Sequence, residues 1–141
     1  MAIADLETLL NSLTPSLDKT PYVFCTFPDT DVQPDSSQYK PLAIINEVEG
    51  VTWIIQQEAA DEIGLEVEQP FSRITLNVHS SLTAVGLTAA VSTALAQQGI
   101  SANVVAAFYH DYIFVPQADA NHALKTLHKL SNSQQNMKPD A

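Results

Sequence analysis

The segment 72–100, SRITLNVHSSLTAVGLTAAVSTALAQQGI, decides the fold. Its first eight residues alternate: Ile74, Leu76 and Val78 point to one side, while Arg73, Thr75, Asn77 and His79 point to the other. That period of two is a strand with one buried face. The period then changes. Leu87, Val91, Ala94 and Leu95 recur at helical spacing over residues 84–98, and Gly99 supplies the stop. Downstream, Ala102–Tyr109 reads as a strand, His110-Asp111 as its turn, and Tyr112–Val115 as the return strand closed by Pro116. A last helix follows, with Ala120, Ala123, Leu124, Leu127 and Leu130 on one face, and a polar tail from Ser131 that is expected to fray. The order β-α-β-β-α predicts a split βαβ, ferredoxin-like sheet with both helices on one face and its final strand missing. Ile74, Leu76, Val78, Leu87, Val91, Leu95, Val105, Leu124 and Leu127 are expected to be buried together.

The first half has strands to spare, so it is expected to complete that sheet or to build a parallel one. Ile3–Leu13 places Leu6, Leu9, Leu10 and Leu13 on one helical face before Pro15. Tyr22–Phe27 is a strand bounded by Pro21 and Pro28. The stretch 28–41, rich in Pro, Asp and Ser, reads as a loop. Leu42–Asn46 and Val51–Ile55 form a hairpin around Glu49-Gly50, and Gln56–Ile63 has helical composition with Gly64 as its cap. The acidic stretch Glu66–Pro70 is the expected junction. The domain reading is therefore 1–69, 70–131 and a tail, 132–141.

Composition narrows the function. With six Lys+Arg against sixteen Asp+Glu, the net charge is −10. Nucleic acid and anionic membrane surfaces are poor partners for such a chain. The bases Lys19, Lys40, Arg73, Lys125, Lys129 and Lys138 read as scattered, without a patch. No apolar run approaches the ~18 residues of a membrane span, and the opening MAIADLETLL lacks a basic region, so a secretory leader is not expected. The lone Cys25 permits no internal disulfide and fits a reducing cytoplasm.

The Val85-Gly86-Leu87 entry to the helix and the Gly99-Ile100-Ser101 exit resemble the ACT domain, whose usual signature is Pro-Gly-hydrophobic and Gly-Ile-Asn. Val85 stands where Pro is usual and Ser101 where Asn is frequent. The stretches Tyr22–Pro28, 49–52, 79–88 and Tyr109–Pro116 resemble a small group of stand-alone proteins with two ACT-like halves, and the second half is similar to aspartokinase regulatory domains. The resemblance covers about residues 3–130. It implies an α+β fold of two ferredoxin-like ACT (βαββαβ-type) halves, the first degenerate, with helices on one face of a largely antiparallel sheet. It also implies a non-catalytic, homodimeric regulatory module binding an amino acid; the alternative is an interaction or dimerisation module with a vestigial ligand site, acting through a protein partner.

The candidate ligand residues are Ser80, Ser81, Thr83, Val85, Gly86, Leu87, Ile100, Ser101 and Asn103. Free amides at a helix N-terminus suit a carboxylate, the hydroxyls add donors, and the Asn103 amide could meet an ammonium group, at a subunit or half–half interface. Gly86 either admits the ligand to the backbone or only allows tight packing. Arg73 could hold a carboxylate or form a structural ion pair. No metal or cofactor is expected: Asp29, Asp31 and Asp35 fail the EF-hand pattern at Pro34 and Lys40, His122 and His128 are read as lying on different helix faces, and CxxC and HExxH are absent. His79-Ser80-Ser81 offers a base and a nucleophile in sequence, but without a G-x-S-x-G elbow, and mid-strand Cys25 reads as core. The aromatics Phe108, Tyr109, Tyr112 and Phe114 read as core or interface rather than as a stacking platform.

Overall fold

The computed structural model describes residues 5–28, 32–67, 69–78 and 84–136, the last five by backbone alone. The elements are α1 (Leu6–Ser12), β1 (Pro15–Phe27), α2 (Ser36–Tyr39), β2 (Ala43–Asn46), β3 (Val51–Gln56), α3 (Gln57–Ile63), β4 (Phe71–Leu76), α4 (Leu87–Gln97), β5 (Asn103–Ala106), β6 (Asp111–Pro116), a 3₁₀ turn (Gln117–Asp119) and α5 (Ala120–Asn136). They pack as two compact units, one of residues 1–19 with 72–141, the other of residues 20–71.

In the unit of residues 1–19 and 72–141 the strand order is β1-β4-β6-β5, and the missing fourth strand is supplied by the start of β1. Asn77 N donates to Thr14 O at 3.2 Å and Arg73 Nη2 to Asp18 Oδ2 at 2.9 Å. Numbers rise on one strand as they fall on the other, so the pair is antiparallel. Leu9 and Leu10 of α1, Leu87, Val91 and Leu95 of α4, and Ala120, Ala123 and Leu127 of α5 share one core with Ile74 and Leu76 of β4 and Ile113 and Val115 of β6. All three helices therefore cover the same face of this sheet. Asp5 caps α1, its Oδ2 accepting from Thr8 N at 3.0 Å, and Ser131 Oγ ties α5 to Leu13 O at 3.0 Å.

Several details depart from the sequence reading. Val105 is half-buried and outside that core; Val104 packs against it instead. The reason is register: Val104 lies opposite Ile113, fully buried, whereas Val105 lies opposite Tyr112 on the other face. Leu124 is likewise half-buried at the edge of the stripe, because Ala120, Ala123 and Leu127 face the sheet. The β5–β6 turn is residues 107–110, closed by Ala107 N to His110 O at 3.0 Å, so Phe108 and Tyr109 belong to the turn. The helix α5 continues to Asn136, since no proline interrupts it before Pro139.

Asp111 opens β6, and burial pushes its carboxyl above the usual carboxylate range, with the His110 charge pulling it partly back. A raised carboxyl pKa means that the folded chain binds this proton more readily than the unfolded chain. The site thus costs stability at neutral pH, and the cost shrinks as pH falls below the raised value and is gone below the unfolded chain's ordinary value. Asp111→Asn is expected to raise the urea midpoint at pH 7, with the gain closing below about pH 4.

In the unit of residues 20–71 the order is β2-β3-β1. β3 pairs antiparallel with β1 from Tyr22↔Gln56 to Phe27↔Val51, and with β2 from Ala43↔Ile54 to Asn46↔Val51. The ladder to β3 starts just after Pro21, which has no amide hydrogen to give. Tyr22–Phe27 is therefore a paired strand and not an open edge. Val23, Phe27, Val51, Trp53 and Ile55 form the core with Ala60 of α3, and Gly64 ends α3 at φ 89° as expected. Inside the expected loop Asp35 starts the four-residue α2, its Oδ1 accepting from Ser37 N at 3.0 Å and Ser37 Oγ at 2.7 Å. These donors hold the Asp35 carboxyl below its ordinary range. Asp29 and Asp31 lie outside the described residues.

Candidate functional site

Helix α4 organises the predicted ligand residues. Gly86 is its N-cap at φ 102°, a left-handed conformation natural only to glycine. It has no side chain to cap the first-turn amides, so the N–H groups that open α4 are left to other acceptors. Leu87 and Ile100 are both buried in the core. Val85 is 82% exposed, and Ser101 and Asn103 are exposed, with Asn103 Nδ2 donating to Phe114 O at 3.3 Å. Ser80, Ser81 and Thr83 lie outside the described residues, as does His79.

The geometry of α4 separates these residues into two groups. Eleven residues rising about 1.5 Å each span roughly 16 Å, with Val85 and Gly86 before the first turn and Ile100, Ser101 and Asn103 beyond the last. One chain does not bring the two groups together. Close approach to Gly86 is also already used within the chain: a Cβ there would lie 2.9 Å from Leu6 Cδ2 of α1. The tight-packing role of Gly86 is thus visible directly. Gly86→Ala is expected to lose about 1–2 kcal/mol in urea unfolding, from left-handed backbone strain and the displaced Leu6 end. For the same reason a bulky residue at Gly86 tests folding before it tests binding.

Arg73 pairs with Asp18 at 2.9 Å, the two side chains 20% and 29% exposed, and lies 5.0 Å from the centroid of the Tyr112 ring. Its planar group is engaged within its own unit. Among the hairpin aromatics Phe114 is fully buried, while Phe108 and Tyr109 are 68% and 65% exposed and meet edge to face at 5.0 Å.

Among the described residues, three hollows bear on the argument. One of about 660 Å³ lies in the unit of residues 20–71 among Phe24, Thr26, Glu47, Thr52, Val67 and Phe71. Thr52 Oγ1 donates to Glu47 Oε1, and the Phe24 and Phe71 rings meet edge to face at 5.3 Å. Cys25 also lines it, its Sγ 3.5 Å from Trp53 O; burial raises its thiol pKa, so the nucleophilic thiolate is disfavoured. The other two lie on the helix layer of the unit of residues 1–19 and 72–141, about 300 Å³ around Lys125 and Lys129 and about 440 Å³ around Leu6 and Ala90.

That second cluster corrects the reading of the bases as scattered. His122, Lys125 and Lys129 fall three and four residues apart, on one face of α5, a spacing already present in the sequence. Among the described residues no three His, Cys, Asp or Glu side chains are grouped to hold a metal, and no helix is long and apolar enough to cross a membrane.

Comparison with known proteins gives the family. A sequence profile of the ACT domain matches residues 1–72, and a second ACT domain profile matches residues 68–129. A solved structure of a Vibrio cholerae protein of unknown function, described as a possible transport protein, is similar at 47% identity over 89% of this chain and 95% of that one, with a TM-score of 0.79. A structure from Agrobacterium tumefaciens is 15% identical over 84% of this chain and 89% of that one, with a TM-score of 0.71. The regulatory subunit of aspartate kinase from Thermus thermophilus, in its ligand-free form, is 13% identical over 84% and 96% of the two chains, with a TM-score of 0.60. At those last two identities the likeness is one of fold. No curated protein sequence matches. The two successive profile matches and the strand order around α4 and α5 agree: the chain belongs to the ACT domain family.

Proposed function

We propose that the chain is a non-catalytic regulatory module that binds an amino acid as a cytoplasmic homodimer. The observation that carries the reading is the pair of abutting ACT matches, 1–72 and 68–129, since ACT domains are typically regulatory ligand-binding modules. The proposed halves are 1–69 and 70–131, with 132–141 as a tail. The proposed contact residues are Ser80, Ser81, Thr83, Val85, Gly86, Leu87, Ile100, Ser101 and Asn103. Because α4 spans roughly 16 Å between Gly86 and the chain that leads to Ser101, the reading requires a second copy to place one chain's Ser101 and Asn103 beside the other's Gly86. A ligand there joins two chains, so binding and dimerisation are linked. Exposed Val85, Phe108 and Tyr109 favour a second reading, in which the dimer serves a protein partner and its ligand site is vestigial.

A thermal-shift panel of the twenty amino acids and common nucleotides, run with sedimentation velocity, separates the two. A specific shift of several degrees with a dimer supports sensing: occupancy at 100 times Kd adds about 2.7 kcal/mol, several degrees for a chain of this size. A flat panel with a dimer supports the interaction module. A monomer at tens of micromolar removes both the shared site and the dimer.

A further inference from the structure

The chain carries a net charge of −10, yet one hollow is lined with bases. His122, Lys125 and Lys129 of α5 face Gln97 and Gln98 at the end of α4, over a floor of Ala94 and Leu130. His122 Nε2 and Gln98 Oε1 are 3.2 Å apart. Neither lysine has a carboxylate within ion-pair distance among the described residues. Two lysines left unpaired side by side in an acidic protein form a local field suited to a single small anion. The hollow does not end there. Ala94, Gln97 and Leu130 also line the apolar hollow that runs on over Leu6, Leu10 and Ala90. The two hollows therefore adjoin, and together they offer a groove with Lys125 and Lys129 at one end and mostly apolar side chains along the rest, all within the unit of residues 1–19 and 72–141.

We infer that this groove binds a free amphiphilic carboxylate, an unbranched alkanoic acid of medium length. The carboxylate sits between Lys125 and Lys129, and the hydrocarbon tail lies over Ala94 and Ala90 against Leu6 and Leu130. Charge selects this occupant. A neutral apolar molecule makes no use of the two lysines, and a polyanion or anionic bilayer meets the net negative charge of the whole chain. A single carboxylate gains the local field with little of that repulsion. Each methylene that leaves water strengthens binding by up to about fourfold.

The test is calorimetric titration of the full-length protein with octanoate and decanoate below their micelle concentrations, beside octanol and octylammonium. Decanoate should bind more tightly than octanoate, and octanoate at least about tenfold more tightly than octanol. Lys125→Gln with Lys129→Gln should cost octanoate about tenfold and leave octanol unchanged. Both lysines are exposed, so this variant should keep the wild-type circular dichroism and Tm. Ala94→Trp should weaken both ligands, and if that variant unfolds the lysine pair still decides. Absence of octanoate binding overturns the assignment, as does equal binding by the lysine variant or by octylammonium. Tight binding to phosphatidylglycerol vesicles without binding to free octanoate overturns it in favour of a membrane surface. None of these outcomes depends on the amino-acid panel, so the two readings fail separately.

Discussion

Trp53→Ala should lower the urea midpoint sharply, with a loss of about 3–5 kcal/mol, whereas Trp53→Phe should cost less than about 1.5 kcal/mol. Trp53 is 1% exposed in the middle of β3. Its ring meets Phe27 edge to face at 5.0 Å, within the core made by Val23, Ile55 and Ala60. Truncation to alanine removes the largest side chain of that core and leaves a hollow that a sheet pinned on both sides by ladders to β1 and β2 closes only in part. Phenylalanine keeps the aromatic contact. It also removes the indole Nε1, which is buried with no hydrogen-bond partner among the described residues, so part of the lost packing is offset by one fewer unsatisfied donor. Domains of this size are stable by about 5–15 kcal/mol, so the alanine variant gives up a large share. Equal losses for the two variants would show that the indole nitrogen is bonded and that ring size alone does not set the cost.

How much of this was readable depends on how sharply each segment's period was written. The strand β4 alternates over six residues and α4 carries one clean apolar face, so their kinds, their order and their shared core follow from spacing alone. The strand β5 was ambiguous in phase. Val104 and Val105 are both apolar, so composition could not say which faced inward; the pairing of Val104 with fully buried Ile113 decides it. The true extent of β1 was hidden by Pro21, because proline marks only where the chain cannot donate to a ladder and not where it stops being extended. For the site, the Gly86 entry to α4 was legible as a special backbone position. That its open side is filled by Leu6, eighty residues earlier, was not, because no local pattern encodes a contact at that separation. The lysine face of α5 was legible from three-and-four spacing, but its joining to the apolar groove depends on where α1 packs.

The turn that joins β2 to β3 carries the other large prediction. Gly50→Ala should lose about 2–4 kcal/mol in urea unfolding, more than Gly86→Ala. A Cβ built on Gly50 lies 2.6 Å from the Phe27 carbonyl oxygen and 3.3 Å from Thr26 Oγ1. The obstacle at Gly86 is the flexible end of a leucine, which can swing aside. The obstacle at Gly50 is backbone, and Phe27 is fixed by its ladder to Val51. Gly50 also sits at φ 158°, at the margin of the region open only to glycine, and it is tied across the turn, Glu47 N donating to Gly50 O at 2.8 Å and Gly50 N to Glu47 O at 3.3 Å. Relief therefore requires β1 and β3 to move apart at Phe27 and Val51, or the turn to give up its own hydrogen bonds. Either route disturbs Glu47 and Thr52, which line the 660 Å³ hollow, so the variant should also show faster amide exchange at Val51 and Thr52 than at Ile54 and Ile55. A loss under about 0.5 kcal/mol with unchanged exchange would mean that the turn re-forms around the methyl group and that the close approach of Gly50 to Phe27 is not a requirement of the fold.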